Sequence, residues 1–225
     1  MPYLEQMARR IRRDVIQMIA VSRSGHIGGA LGVADLLAVL YFEQMNHRPG
    51  QPDWEERDRF LLSNGHVCAA LYSALARSGY FPAEELLTFR KINSRLQGHP
   101  SVHDRLPGIE TASGPLGQGL SIANGVALGL RLRGIGADVY CLVGDGEMQE
   151  GQFWEAAMTA AHYRLNRLAL IVNWNDLQID GRVEDVKNVE PVVDKLAAFG
   201  WNVLDIDGHD IGQIREHIRT FQRRE

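Results

Sequence analysis

The sequence predicts an α/β protein, a doubly wound and mostly parallel sheet flanked by helices. Short apolar runs alternate with helical patterns along the second half of the chain: Val139 to Val143, Leu168 to Val172 and Trp201 to Ile206 read as strands. The first two end in polar segments, Gly144-Asp145-Gly146 and Asn173-Trp174-Asn175, at the end where such sheets bind ligands. With 225 residues and a 45% hydrophobic fraction, the chain suits one large domain with an ample core.

Leu4, Met7, Ala8, Ile11, Val15, Met18 and Ile19 recur at helical spacing, so a first amphipathic helix covers residues 4–22. Met1 to Arg13 carries four arginines, yet Glu5 and Asp14 accompany them and no apolar stretch follows, which argues against a targeting peptide. Ser24 to Gly32 reads as a glycine-rich loop and Val33 to Glu43 as a helix. A polar loop, His47 to Asp58, leads to the short strand Phe60-Leu61-Leu62. Ser63-Asn64-Gly65-His66 then opens an alanine-rich helix, and Thr88 to Gly108 is an irregular loop long enough to be functional.

The next helix, Gly119 to Arg131, contains Gly125 and Gly129. Each costs about 1 kcal/mol against alanine, and close packing on another helix is the expected compensation. Helices Val192 to Phe199 and Ile211 to Phe221 complete the pattern.

The net charge of −4 offers no long-range attraction to nucleic acid or an anionic membrane. Asp35 interrupts the longest apolar candidate, Leu31 to Phe42, so no membrane span is expected. Cys68 and Cys141 lie in apolar runs and read as buried small hydrophobes, consistent with a reducing, cytoplasmic setting.

Asp145 and Asn175 are thirty residues apart, one just past each of two strands. A carboxylate and an amide oxygen suit Mg²⁺, which takes six oxygens and keeps some from water or phosphate. The backbone carbonyl of Leu177 could be a third protein ligand. Gly146 would let the main chain approach a phosphate, and the helix start after it offers free N–H groups. No Gly-x-x-x-x-Gly-Lys-Ser/Thr loop is present, nor a Gly-x-Gly-x-x-Gly after a strand, so nucleotide readings are weak.

Gly144-Asp145-Gly146-Glu147-Met148-Gln149-Glu150-Gly151, followed by Asn175-Asp176-Leu177-Gln178-Ile179-Asp180-Gly181, resembles the thiamine diphosphate motif of transketolases. Ser24-Gly25-His26-Ile27-Gly28-Gly29, Ser63-Asn64-Gly65-His66, Gln97-Gly98-His99-Pro100 and Gly114-Pro115-Leu116-Gly117-Gln118-Gly119 resemble that family's other blocks, in its order. The resemblance implies that Asp145, Asn175 and the Leu177 carbonyl hold Mg²⁺ (or Ca²⁺). Gly114, Pro115, Leu116, Gly144, Gly146 and Glu147 would line the thiamine diphosphate. His26, His66 and His99 would surround its reactive carbon and the sugar hydroxyls, a task suited to a side chain that gains and loses protons near neutrality. Glu150 resembles a carboxylate that links two cofactor sites across a dimer, or is an early-turn acid favoured by the helix dipole.

The implied chemistry is transfer of a two-carbon ketol unit from a ketose to an aldose acceptor. The implied fold is the diphosphate-binding domain, here residues 1–225, without a last strand and loop that the family carries. A separate, C-terminal transketolase-like subunit would bring the pyrimidine-binding domain, in an α₂β₂ assembly acting on sugar phosphates. Alternatives are transfer to a carrier-protein or lipoyl thiol in a biosynthetic pathway, or a non-catalytic regulatory subunit. Asn173 where the family often has Asp, Ile27 where Pro is usual, and Gln97 before Gly98 depart from the pattern without removing a proposed ligand.

Overall fold

A computed structural model describes residues 2–179 and 181–223; Asp180 of the second motif half lies outside the described residues. Its centre is a parallel three-stranded sheet, β1 (Arg59–Leu62), β2 (Val139–Gly144) and β3 (Leu168–Asn173), in the order β1-β2-β3. The register pairs Phe60 with Tyr140 and Gly144 with Asn173, so β2 and β3 end side by side. Side chains alternate along a strand, and here the alternation divides the protein. Val139, Cys141 and Val143 enter one core, while Tyr140 and Leu142 enter the other.

The first core lies under α1 (Pro2–Ser22), α2 (Ile27–Gly32), α3 (Ala34–Val39), α4 (Cys68–Ser78) and α9 (Ile211–Gln222). The second lies under α5 (Gly119–Leu132), α6 (Gly151–His162) and α8 (Val192–Phe199). A small hairpin, β4 (Leu177–Gln178) with β5 (Gly181–Arg182), and the short α7 (Val183–Lys187) fill the crossover between β3 and α8. The expected doubly wound, parallel architecture is the one observed. Both cysteines are buried and free, and burial pushes the Cys68 thiol up to about 12, as suits inert core residues. Among the described residues no helix is long and apolar enough to cross a membrane.

Three expectations are corrected. Residues 27–32, read as loop for their glycines, form α2. Gly29 is there for proximity: a Cβ on it would lie 2.8 Å from Val67 Cγ1, and that close approach overrides helix propensity. Trp201 to Ile206 forms no strand. It is anchored by side chains instead, through the Trp201 indole N–H donated to the Ala157 carbonyl at 3.0 Å and through Val203 and Ile206 against the two cores. Finally, Gly125 and Gly129 pack on nothing, since a Cβ at either meets no atom within 4 Å.

Gly119 is the opposite case. Its N–H donates to Ser63 Oγ at 3.0 Å, and a Cβ there would lie 2.8 Å from the Ser63 backbone. Urea unfolding is therefore expected to separate two substitutions in one helix. Gly119→Ala should destabilise by about 1–3 kcal/mol through overpacking, whereas Gly125→Ala should stabilise by roughly 0.5–1 kcal/mol through helix propensity.

Candidate active site

Past the end of β2 the chain turns through a 3-10 segment, Gly146–Gln149, before α6 begins. Glu147 points back into the protein and is 3% exposed. Such burial requires donors, and Glu147 receives three. The Ser63 hydroxyl, just past β1, donates to Oε1, as does Gly117 N–H at 2.8 Å; Gly144 N–H reaches Oε2 at 3.1 Å. Burial still raises the carboxyl above its ordinary value, while these hydrogen bonds pull the other way. Three segments distant in sequence, Ser63-Asn64-Gly65-His66, Gly114 to Gly119 and Gly144 to Glu150, are thereby held together.

Asp145, also buried, faces the neighbouring strand end. Its Oδ1 accepts from Gly146 N–H at 2.8 Å. Its Oδ2 accepts from Asn175 N–H at 2.9 Å and Asp176 N–H at 2.5 Å. Asp176 meets this geometry with a left-handed backbone, φ 59°, and pairs its own carboxylate with Arg182. Asn175 Oδ1 accepts from Leu177 N–H at 2.9 Å. Asp145 and Asn175 thus share one corner, with the Leu177 amide held against Asn175. Both side chains offer hard oxygen donors and keep lone pairs beyond the bonds they accept. Above Gly146 lies Gln178, whose Oε1 would be 2.6 Å from a Cβ at that position. Gln149 steers it through a 2.9 Å hydrogen bond.

The three histidines gather on the same end of the sheet. The His26 ring centroid is 5.2 Å from that of His66 and 6.3 Å from that of His99. His66 sits at the helix entrance after β1, and His26 immediately precedes α2. Gly114, with φ 147°, packs on His99: a Cβ would be 3.5 Å from the ring. Gly65 lies against Ser113 and Gly114, so the Gly114-Pro115-Leu116 segment lines the gap between the histidines and Glu147. Burial lowers all three imidazoles below their ordinary value. For His66 the neighbouring His26 and His99 add to it, and the result is about 4. Neutral imidazoles at pH 7 can donate through one nitrogen and accept through the other. Glu150 is exposed beside Gly117, whose added Cβ would touch the Glu150 Cβ at 2.6 Å.

A cavity of about 410 Å³ bordered by Arg131, Arg164 and Arg167 lies at the N-terminal ends of β2 and β3, separate from this site.

Residues 4–225 match the family described as transketolase, thiamine diphosphate binding domain. The chain belongs to the transketolase family. A 6-deoxy-6-sulfo-D-fructose transketolase subunit from Clostridium sp. (strain MSTE9) is 42% identical, over 98% of this chain and 80% of that protein. An apulose-4-phosphate transketolase subunit from Phocaeicola vulgatus is 38% identical, over 97% and 76%. Transketolase 1 from Escherichia coli is 37% identical, but the match spans 34% of that protein. The crystal structure of the transketolase from Campylobacter jejuni superposes with a TM-score of 0.94 at 36% identity, covering all of this chain and 36% of the other.

Within this transketolase domain, sequence reasoning missed Ser63, which serves both Glu147 and Gly119, and Gln178, which covers Gly146. Both lie inside family-like motifs, Ser63 beside His66 and Gln178 after Asn175, whose other residues carry the more obvious chemistry. Arg90 was missed as well. His103 stays exposed on its loop. His162 ends α6 exposed beside Tyr163, while Trp154 donates to the Met148 carbonyl at 2.8 Å and packs on the second core.

The lowered His66 value makes a stability prediction. Its folded pKa lies below the unfolded one of about 6.5, so the unfolded chain takes up the extra proton. The contribution of neutral His66 is complete above about pH 6.5 and is lost as pH falls toward about 4. Urea midpoints are expected to drop over that window, and His66→Asn to make the drop shallower.

Proposed function

We propose that this chain is the N-terminal, diphosphate-binding subunit of a split transketolase. It would transfer a two-carbon ketol unit from a ketose to an aldose, using thiamine diphosphate and Mg²⁺ (or Ca²⁺). The observation that carries this reading is the corner where the Asp145 carboxylate bonds to the backbone of Asn175 and Asp176 across the ends of β2 and β3. Asp145, Asn175 and the Leu177 carbonyl would hold the metal, which would neutralise diphosphate charge. Thiamine diphosphate, when bound, supplies the carbon nucleophile that makes and breaks the carbon–carbon bond.

The remaining roles belong to the chain. Glu147 fixes Gly117 and Gly144, and so the Gly114-Pro115-Leu116 wall, relative to the metal corner. His26, His66 and His99 face the sugar as neutral groups, orienting hydroxyls and moving their protons. Exposed Glu150 is placed to meet a second site across an assembled enzyme.

A partner subunit with the pyrimidine-binding domain is supported by two facts. The relatives from Clostridium and Phocaeicola are named as subunits. The active end is also open, with Leu177 at 62% and Ile179 at 97% exposure. Self-association toward α₂β₂ completes the proposal. Those two relatives are named for a sulfo-sugar and a sugar phosphate, so an anionic ketose is the substrate class proposed.

Calorimetric titration of thiamine diphosphate with Mg²⁺ into the complex of this chain and its partner tests the reading. Asp145→Ala is expected to weaken binding by more than about tenfold, since losing even an outer-shell partner of a metal ligand costs about 10–100-fold. It should also abolish transfer from a ketose phosphate to an aldose phosphate. Unchanged binding and activity would leave the non-catalytic alternative standing.

A further inference from the structure

Arg90 belongs to none of the motifs, yet it lies between two of them. Its Nη1 donates to Ser24 Oγ at 2.7 Å, two residues before His26, and its Nη2 donates to the Gly98 carbonyl at 3.3 Å, next to His99. We propose that Arg90 is a positioning residue whose guanidinium cross-links the two loops and sets the separation of His26 and His99 across the pocket. The proposal rests on the reading of those histidines as substrate-facing.

Four observations converge on it. First, Arg90 adopts a left-handed backbone, φ 59°, and its Nε is buried with no partner. Two unfavourable features on one residue are the mark of a side chain kept for its placement rather than for stability. Second, the residue is braced from behind. Its N–H donates to the Leu96 carbonyl at 2.9 Å, and its guanidinium lies 5.5 Å from the ring of buried Phe89.

Third, Arg90 explains the glycine before His99: a Cβ at Gly98 would lie 2.7 Å from Arg90 Nε and 2.8 Å from Cζ. Fourth, the loop it grips is itself knotted: Ser22 Oγ donates to the Ser24 carbonyl at 2.7 Å and accepts from Ser24 N–H at 3.3 Å. Displacement at Ser24 would therefore travel to His26.

A guanidinium suits this bridge because its donors lie in a rigid plane, aimed at two acceptors at once; an ammonium is a single point. Its charge has a second effect. Arg90 acts on both His26 and His99, and His26 acts in addition on His99. After burial, Arg90 is the next cause lowering both His26 and His99. Both then stay neutral where they meet sugar hydroxyls.

The test uses the full chain, with amide hydrogen exchange and NMR titration of the imidazoles. In Arg90→Gln, exchange at residues 24–26 and 97–99 should quicken by roughly tenfold or more. The His26 and His99 titrations should rise toward about 6.5. Arg90→Lys should keep the low titrations but not the protection, because it retains charge without the fork. Ser24→Ala should loosen only the His26 loop, and it decides the matter alone if Arg90→Gln fails to fold. Wild-type exchange and titration in Arg90→Gln, or full protection in Arg90→Lys, would overturn the proposal. In the partnered enzyme, Arg90→Gln should lower kcat with thiamine diphosphate affinity unchanged. Should His26→Ala and His99→Ala keep full transfer activity, the pocket reading fails while the solution result on Arg90 stands by itself.

Discussion

Everything at the active end depends on one buried carboxylate. Glu147 leaves water almost completely, and an unsatisfied ionised group in that position would cost several kcal/mol. Its donors come from three segments that share no local structure: the Ser63 hydroxyl after β1, the Gly117 amide before α5 and the Gly144 amide at the end of β2. Because the carboxylate needs all three, the blocks that carry His66, the Gly114-Pro115-Leu116 wall and Asp145 are held in one arrangement. Asp145 repeats the device on a smaller scale, collecting amides from its own turn and from the end of β3.

That dependence explains why some of this protein was legible in its sequence and some was not. Val139 to Val143 and Leu168 to Val172 announced themselves as strands because a sheet covered on both faces demands near-continuous apolar runs. Asp145 and Asn175 could be placed because strand ends follow from strands. Residues 27–32 misled, since a glycine kept for a close neighbour looks the same as one kept for a turn; only Val67, far along the chain, distinguishes them. Trp201 to Ile206 misled for a related reason. Apolar residues there fasten the segment through an indole and side-chain packing, and no periodicity reveals whether backbone bonds form.

The histidines show both sides of that limit. Their Gly-His context marked His26, His66 and His99, and the structure brings the three rings into one cluster around His26. What spans the loops of His26 and His99 is Arg90, whose partners at Ser24 and Gly98 can be recognised only once the chain is folded. A side chain that acts through two others leaves no local pattern. The same is true of Ser63, whose hydroxyl reads as an ordinary loop serine until Glu147 and Gly119 are seen beside it.

Among the described residues the sheet stops at β3, and residues 201–206 do not join it. From Ala169 to Asn173 this strand is only partly covered. An edge strand offers its outer amides and carbonyls to an extended peptide, in the manner of strand augmentation. Handled at high concentration, the isolated domain would carry an aggregation liability concentrated on one apolar strand.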